Sequence, residues 1–515
     1  MHHLLRASAL ALAAAVLCNC ARAANPCADL RKFSAPATTI EKAREVPEGT
    51  IPAPPGAPPV PLHAPAHCRV DGIIGAHTGP DGKSYGIRFA VAMPANWNGR
   101  LLYQGGGGLN GSVQPPIGGV AAGDTSALAR GFAVVTSDSG HEGSVFDSSF
   151  FVDQQALLDF LYQSIGKVMA VARPLVAAHY RHAIAHSYFV GCSTGGREAM
   201  ISAQRYPGEF DGIVAGSPAM RTSYSNLATS WISVALNAAA PKDTQGHPLT
   251  AQALSDSDRK LVVDGLLQAC DALDGAKDGM IFNTRGCHFD PRVLQCKGAK
   301  ADGCLSQAQV QAIERGFAGP ITSGGIKVYP GFPYDTGIGF KGPGIPGLLS
   351  GGLSPVGPAP TSTQMNVDQE AAVAHNAQEM AGDTDAWNNL SSFSGHGGKL
   401  IFYHGMSDPW FSALDTQRYY ESLTASDKPG PVSNWSRLFL VPGMGHCGGG
   451  TATLDHFDML SAIVDWVENN RAPDQVTATG TAYPGRSRPL CAYPKHAQYA
   501  GSGDPELATN FTCQD

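Results

Sequence analysis

The sequence predicts an α/β protein: a mainly parallel sheet flanked by helices and interrupted by one large insertion. Three observations carry that reading. Short apolar runs bounded by glycine alternate with helical patterns from Gly86 to Ala215. The rhythm stops at Ala219 and resumes after Gly397. The chain has 515 residues, 43% of them hydrophobic, which suits one large core with insertions or about three domains.

The elements follow in order. Arg6, the apolar run Ala7–Leu17 and Ala21-Arg22-Ala23 predict a cleavable signal peptide over residues 1–23, with a core too short to span a bilayer. Residues 24–66 are rich in Pro and Ala, with Pro52-Ala53-Pro54-Pro55 and Pro58-Pro59, and read as an extended arm. Strands are expected at 86–93, 100–103 and 132–136. Leu157, Leu158, Leu161, Ile165, Val168 and Met169 recur at helical spacing and predict a helix over 153–180. Strands at 188–190 and 212–215 complete a first part of the sheet domain, residues 24–218. Residues 219–393 read as an inserted lid domain, Gly- and Pro-rich from Gly316 to Pro360. A second part, 394–515, returns with strands at 399–403 and 438–441 and a helix over 457–468.

Composition excludes several classes. Charged residues are only 15%, the net charge is −7 and no long basic run exists, so nucleic acid is not an expected partner. No later stretch is long and apolar enough for a membrane span. Together with 61 glycines and 37 prolines, this describes a loop-rich globular protein, secreted or periplasmic. Ten cysteines remain once Cys18 and Cys20 leave with the signal, and an even count in an exported chain predicts five disulfides. Their connectivity does not follow from spacing, and the lack of a Cys-x2-Cys pair argues against zinc.

Gly191-Cys192-Ser193-Thr194-Gly195 matches G-x-S-x-G, in which a serine on a sharp strand-to-helix turn is presented as a nucleophile. Gly82-Lys83-Ser84-Tyr85-Gly86 matches too but lies between a turn and a strand, and is rejected. Ser193 has the required context, with Tyr188-Phe189-Val190 before it and Arg197-Glu198-Ala199-Met200 after it. A nucleophilic serine needs a base and the base an orienting carboxylate, in the chain order Ser, Asp, His. Asp408 follows the strand at 399–403 and His446 follows the strand at 438–441, both in loops where parallel sheets place their sites. Cys192 precedes Ser193 and Cys447 follows His446. A disulfide between them would clamp the two loops, although each could pair elsewhere.

These residues resemble the tannase/feruloyl esterase family of α/β-hydrolases. The resemblance is closest to its bacterial branch of mono(2-hydroxyethyl) terephthalate hydrolases. It rests on Cys-Ser … Asp … His-Cys with an insertion before the Asp, and on Met93–Arg100, Gly191–Glu198, Asp211–Gly216, Tyr403–Asp408, Leu438–Cys447 and Gly501–Asp504. It implies an α/β-hydrolase fold with an inserted lid, and a secreted serine esterase acting on small aromatic esters. Ser193 would be the nucleophile, His446 the base and acid, and Asp408 the orienter. The backbone N–H groups of Gly108 and Thr194 would form the oxyanion hole. The implied pairings are Cys27–Cys68, Cys192–Cys447, Cys270–Cys287, Cys296–Cys304 and Cys491–Cys513.

Asp271, Asp274 and Asp278, with Gly275 and Gly279, could wrap a hard cation or form an ordinary Asp/Gly turn. The resemblance implies structural Ca²⁺, held by those three carboxylates and the carbonyls of Ala276 and Met280. It also places His404 in the substrate pocket, while Trp410 offers a flat face near Asp408. The terephthalate-monoester branch grips a free carboxylate with a lid arginine. Here no arginine lies between Arg315 and Arg418, only Lys327, Lys341 and Lys399. Lysine replaces a bidentate arginine poorly, which leaves the arginines earlier in the lid, such as Arg221, as candidates. Neutral aromatic esters such as alkyl hydroxycinnamates or gallates are therefore expected over the anionic monoester. The other readings are hydrolysis of that monoester, another serine-hydrolase activity such as a peptidase or lipase, and a catalytically inactive ligand-binding relative. Of four sequons, Asn110, Asn389, Asn434 and Asn510, the first is expected to stay unmodified because it lies in the oxyanion loop.

Overall fold

The computed structural model describes residues 26–51, 62–342, 345–351, 358–426 and 430–515. The expected signal segment and the prolines at 52–59 lie outside these. Among the described residues the main sheet has nine strands. They are β1 (Thr38–Val46), β2 (His67–Thr78), β3 (Ser84–Pro94), β4 (Arg100–Gln104), β5 (Ala133–Ser137), β6 (His186–Cys192), β7 (Gly212–Gly216), β8 (Lys399–Gly405) and β9 (Ser436–Val441). The order across the sheet is β1-β2-β3-β5-β4-β6-β7-β8-β9. Strands β4 to β9 pair in parallel, and β1, β2 and β3 form an antiparallel flank that meets β5.

The central strands read as unbroken apolar runs because helices cover both faces of the sheet. Leu101, Phe189, Ile213 and Phe402 enter one core with Ile165, Val168 and Met200. Their neighbours Leu102, Val190, Val214 and Ile401 enter the other with Leu460, Ile463 and Trp466. This alternation is the two-residue period of a strand packed on both sides. The covering helices are α1 (Ser164–Tyr180), α2 (Thr194–Arg205) and α7 (Met459–Asn469).

Between β7 and β8 the chain adds no strand to the main sheet among the described residues. Helices α3 (Thr222–Asn237), α4 (Asp256–Cys270) and α5 (Gln307–Ala318) pack around a separate core including Ile232, Leu236, Val262, Ile313 and Phe317. Helix α6 (Ala413–Ser426) follows β8.

Three elements differ from the sequence expectation. The expected arm contains β1, an edge strand in which only Ile40 is buried, so it carries no apolar run to betray it. The helix expected over 153–180 starts at Gln154, capped by Asp153, and carries a π-helical turn at Asp159–Gln163 before α1. After α7 the chain continues into small antiparallel sheets built from Gln475–Thr479, Ser487–Cys491, His496–Tyr499 and Phe511–Gln514. All five implied disulfides are present.

Candidate active site

Ser193 sits between β6 and α2 with φ 65° and ψ −124°, a conformation that costs a non-glycine residue energy. The flanking glycines explain why the turn can be so sharp. A Cβ on Gly191 would fall 2.4 Å from the Gly195 carbonyl oxygen, and one on Gly195 would fall 2.7 Å from the Gly106 carbonyl oxygen. The turn is anchored by Ser193 N–H donating to the Gly216 carbonyl at 3.0 Å. The rejected match at Ser84 opens β3 instead.

Asp408 and His446 follow the carboxyl ends of β8 and β9. Nδ1 of His446 donates to Asp408 Oδ2 at 2.7 Å. That fixes the tautomer and leaves the lone pair on Nε2, which is buried and has no hydrogen-bond partner among the described residues. Asp408 Oδ1 accepts from the backbone N–H groups of Trp410 (2.9 Å) and Phe411 (3.0 Å). Burial pushes the Asp408 carboxyl up, but the charge and hydrogen bonds of His446 and His404 override this and hold it well below the usual carboxylate range. The Cys192–Cys447 disulfide joins the residue before Ser193 to the residue after His446.

His404, the residue expected in the substrate pocket, packs against Asp408. Its side chain is fully buried and lies behind Asp408. Nε2 stands 2.9 Å from the Phe411 carbonyl and 3.3 Å from Asp408 Oδ2, so it carries the proton, and Nδ1 accepts from Thr416 Oγ1 at 2.8 Å. His404 supports the carboxylate that supports His446.

The glycine-rich loop after β4 reaches α2 at close range. Gly195 N–H donates to the Gly106 carbonyl at 3.1 Å, and Thr194 Oγ1 donates to the Gly108 carbonyl. Gly108 has φ +58°, and a Cβ there would meet Val145 at 2.4 Å. Glu198 has a role that the sequence pattern does not assign. It is buried one turn beyond Ser193, and its carboxylate accepts from Gly106 N–H at 2.9 Å and from Asn110 Nδ2 at 2.6 Å. Asn110 is therefore committed inside the protein, against its use as a sequon. A carboxylate five residues after the motif serine was a visible signal, but its partners lie about ninety residues earlier.

Gly108, Ser193, Thr194, Trp410 and His446 line one cavity of about 1170 Å³. Trp410 makes an edge contact with Phe146, and its ring lies 5.0 Å from that of His446. The wall carries the acids Asp124, Asp383 and Asp455, and a single arginine or lysine among the described residues, Arg197. Arg197 is buried and its guanidinium donates to the carbonyls of Leu161 (2.7 Å) and Phe160 (3.0 Å). Arg221 does not reach in: it is buried in a two-bond contact with Asp415, at 3.0 and 2.5 Å.

The acidic loop is folded around its own backbone. Asp271 accepts from Asp278 and Gly279 N–H, Asp274 from Ala276 and Phe282 N–H, and Asp278 from Met280 N–H. Asp278 also contacts Arg488. Burial, with Asp278 and Asp271 nearby, pushes the Asp274 carboxyl up to about 7. Among the described residues no three His, Cys, Asp or Glu side chains converge as a ready metal site. The oxygen-rich donor set and the mutual repulsion of the carboxylates are nevertheless the chemistry a hard cation relieves.

The family model of tannase and feruloyl esterase matches residues 68–343 and 360–514. The chain is 40% identical to the mono(2-hydroxyethyl) terephthalate hydrolase of Piscinibacter sakaiensis, covering 87% of this chain and 85% of the relative. It is 31% identical to the probable feruloyl esterase B-2 of Aspergillus terreus over 81% of each chain. Feruloyl esterase B from Aspergillus oryzae matches the structure with a TM-score of 0.76 at 26% identity, covering 95% of this chain and 99% of that one. Tannin acyl hydrolase from Aspergillus niger matches with a TM-score of 0.71 at 21% identity and 95% coverage of each, a likeness of fold.

Proposed function

The chain belongs to the tannase and feruloyl esterase family and is a carboxylic ester hydrolase, and from that premise we propose that it cleaves neutral esters of aromatic acids with Ser193, His446 and Asp408 as its catalytic triad. One observation carries the reading: His446 is held by Asp408 through Nδ1 while its Nε2 has no hydrogen-bond partner among the described residues, and both His446 and Ser193 line the cavity.

The chemistry follows from those positions. Ser193 Oγ attacks the ester carbonyl carbon while its proton passes to His446 Nε2. The carbonyl oxygen becomes an oxyanion, received by the N–H groups of Gly108 and Thr194. Thr194 is the first residue of α2, so its N–H has no acceptor within the helix and lies at the positive end of the helix dipole. The tetrahedral species collapses by breaking the bond to the alcohol oxygen, which takes the proton from His446. The acyl group is now on Ser193. Water then gives a proton to His446 and its oxygen attacks the acyl carbon. The Ser193 oxygen leaves with that proton and the aromatic acid is released. Asp408 stays ionised throughout and stabilises the imidazolium.

Substrate class follows from the wall. Trp410 and Phe146 supply aromatic faces, while Asp124, Asp383 and Asp455 repel anions and Arg197 is already bound to two carbonyls. Similarity to the terephthalate-monoester hydrolase favours a second reading, hydrolysis of that anionic ester. The acidic wall and the engaged Arg221 weigh against it.

Residues 219–393 are assigned as a lid, since Ala219, Thr222, Asn226 and Asp383 form part of the cavity wall. Ca²⁺ held by Asp271, Asp274, Asp278 and the carbonyls of Ala276 and Met280 would stabilise that lid and stay out of the reaction. Five disulfides and the segment 1–23 support a site of action outside the cytoplasm. A panel of p-nitrophenyl, cinnamoyl and peptide substrates on the mature chain tests the class. Hydrolysis of the aromatic esters that disappears in Ser193→Ala is expected, and peptide cleavage without ester cleavage would overturn the proposal.

A further inference from the structure

Asp335 lies in the segment between β7 and β8, far along the chain from the residues assigned to catalysis, and is almost completely buried. Its Oδ2 accepts two hydrogen bonds, from Ser407 Oγ at 2.5 Å and from Gly443 N–H at 2.7 Å. Ser407 immediately precedes Asp408. Gly443 stands three residues before His446. One carboxylate oxygen thus ties the loop of the acid to the loop of the base.

The contact is built on more than that atom. Ser407 Oγ also accepts from Gly337 N–H at 2.9 Å, and Ser407 N–H donates to the Met444 carbonyl at 3.0 Å. Gly337 has no room for a side chain: a Cβ would meet Ser407 Oγ at 2.6 Å and the Gly443 carbonyl oxygen at 2.7 Å. Burying a carboxylate is costly unless its hydrogen bonds repay it, and bonds to an ionised acceptor are the strong ones. The other oxygen, Oδ1, has no hydrogen-bond partner among the described residues, and beyond the adjacent Thr336 N–H the carboxylate is held by the two loops.

We infer that Asp335 is a positioning residue, fixing Ser407 and Gly443 and through them the spacing of Asp408 and His446. This rests on the triad proposed above. It gives the inserted segment a part in the chemical step, separate from shaping the cavity, because neither Asp335 nor Ser407 lines the cavity.

The distinguishing readout is the division between kcat and KM, measured on folded enzyme well below its melting temperature. A displacement of about 1 Å in a catalytic group can cost about a hundredfold in rate. Asp335→Ala is therefore expected to lower kcat by about 10- to 100-fold with KM within about twofold. Asp335→Asn keeps an oxygen able to accept the same two bonds and should recover most of the lost turnover. Wild-type kcat in folded Asp335→Ala, or equal losses in Asn and Ala, would overturn the inference. If Asp335→Ala does not fold, Ser407→Ala decides: a fall in kcat at unchanged KM supports the role, and wild-type kcat removes it. His446→Ala in the same assay separates the two layers, since wild-type turnover there would mean the triad itself is misassigned.

Discussion

Cys192 and Cys447 are bonded across 255 residues of chain with their Cα atoms 6.0 Å apart, and each is the immediate neighbour of a residue assigned to catalysis. Such a bond constrains the unfolded chain, by about 2–4 kcal/mol for a typical disulfide. It also holds the Ser193 turn against the His446 loop in the folded enzyme. The second effect is the one with a catalytic consequence.

Replacing both cysteines by alanine is expected to reduce kcat by about a hundredfold, through displacement of the base, while most of the folded circular-dichroism signal survives. The comparison is turnover against fold content in one preparation. Wild-type turnover in the double variant would remove the clamp.

Asp408→Asn is expected to lower kcat by about 10³–10⁴-fold, because an amide at that position favours the wrong imidazole tautomer. The same variant carries a stability signature. Asp408 is held below its unfolded value, so its contribution is complete above about pH 4 and lost as pH falls through the folded pKa. Melting temperature followed from pH 5 to pH 2 should fall less steeply in Asp408→Asn than in the wild type. Parallel curves would contradict the pairing.

Much of this site was legible before the structure. The strands at 188–190, 212–215, 399–403 and 438–441 are apolar on both faces, and that continuous signal marks a covered parallel sheet. Ser193, Asp408 and His446 follow strand ends, so the strands located them. What escaped was whatever depends on a distant partner. β1 is an exposed edge strand with one buried side chain and only its pairing with β2 defines it. His404 sits at a strand end next to the site, yet sequence does not say which way its ring turns. Glu198 and Asp335 each hold one backbone N–H and one side chain far along the chain, Gly106 with Asn110 and Gly443 with Ser407, and residue identity does not announce such pairings.

Chelation of divalent cations is expected to lower the melting temperature and leave kcat of the surviving folded enzyme unchanged, since a bound ion adds stability by mass action. Metal content by elemental analysis and the chelator-induced shift should both be lost in Asp274→Ala. Retention of full metal content and full stability in that variant would move the site elsewhere.

Substrate charge gives a direct comparison: kcat/KM for methyl ferulate against mono(2-hydroxyethyl) terephthalate on one preparation. The neutral ester should be preferred, because the cavity wall carries three acids and its only lysine or arginine among the described residues, Arg197, is already engaged. A clear preference for the terephthalate ester would require a cation from elsewhere in the chain.

Covalent catalysis at Ser193 is tested most directly by mass spectrometry of enzyme quenched by acid during turnover of methyl ferulate. A feruloyl adduct on the peptide containing Ser193, absent from Ser193→Ala, is the expected result. Full turnover by Ser193→Ala, or the adduct on another residue, would contradict it.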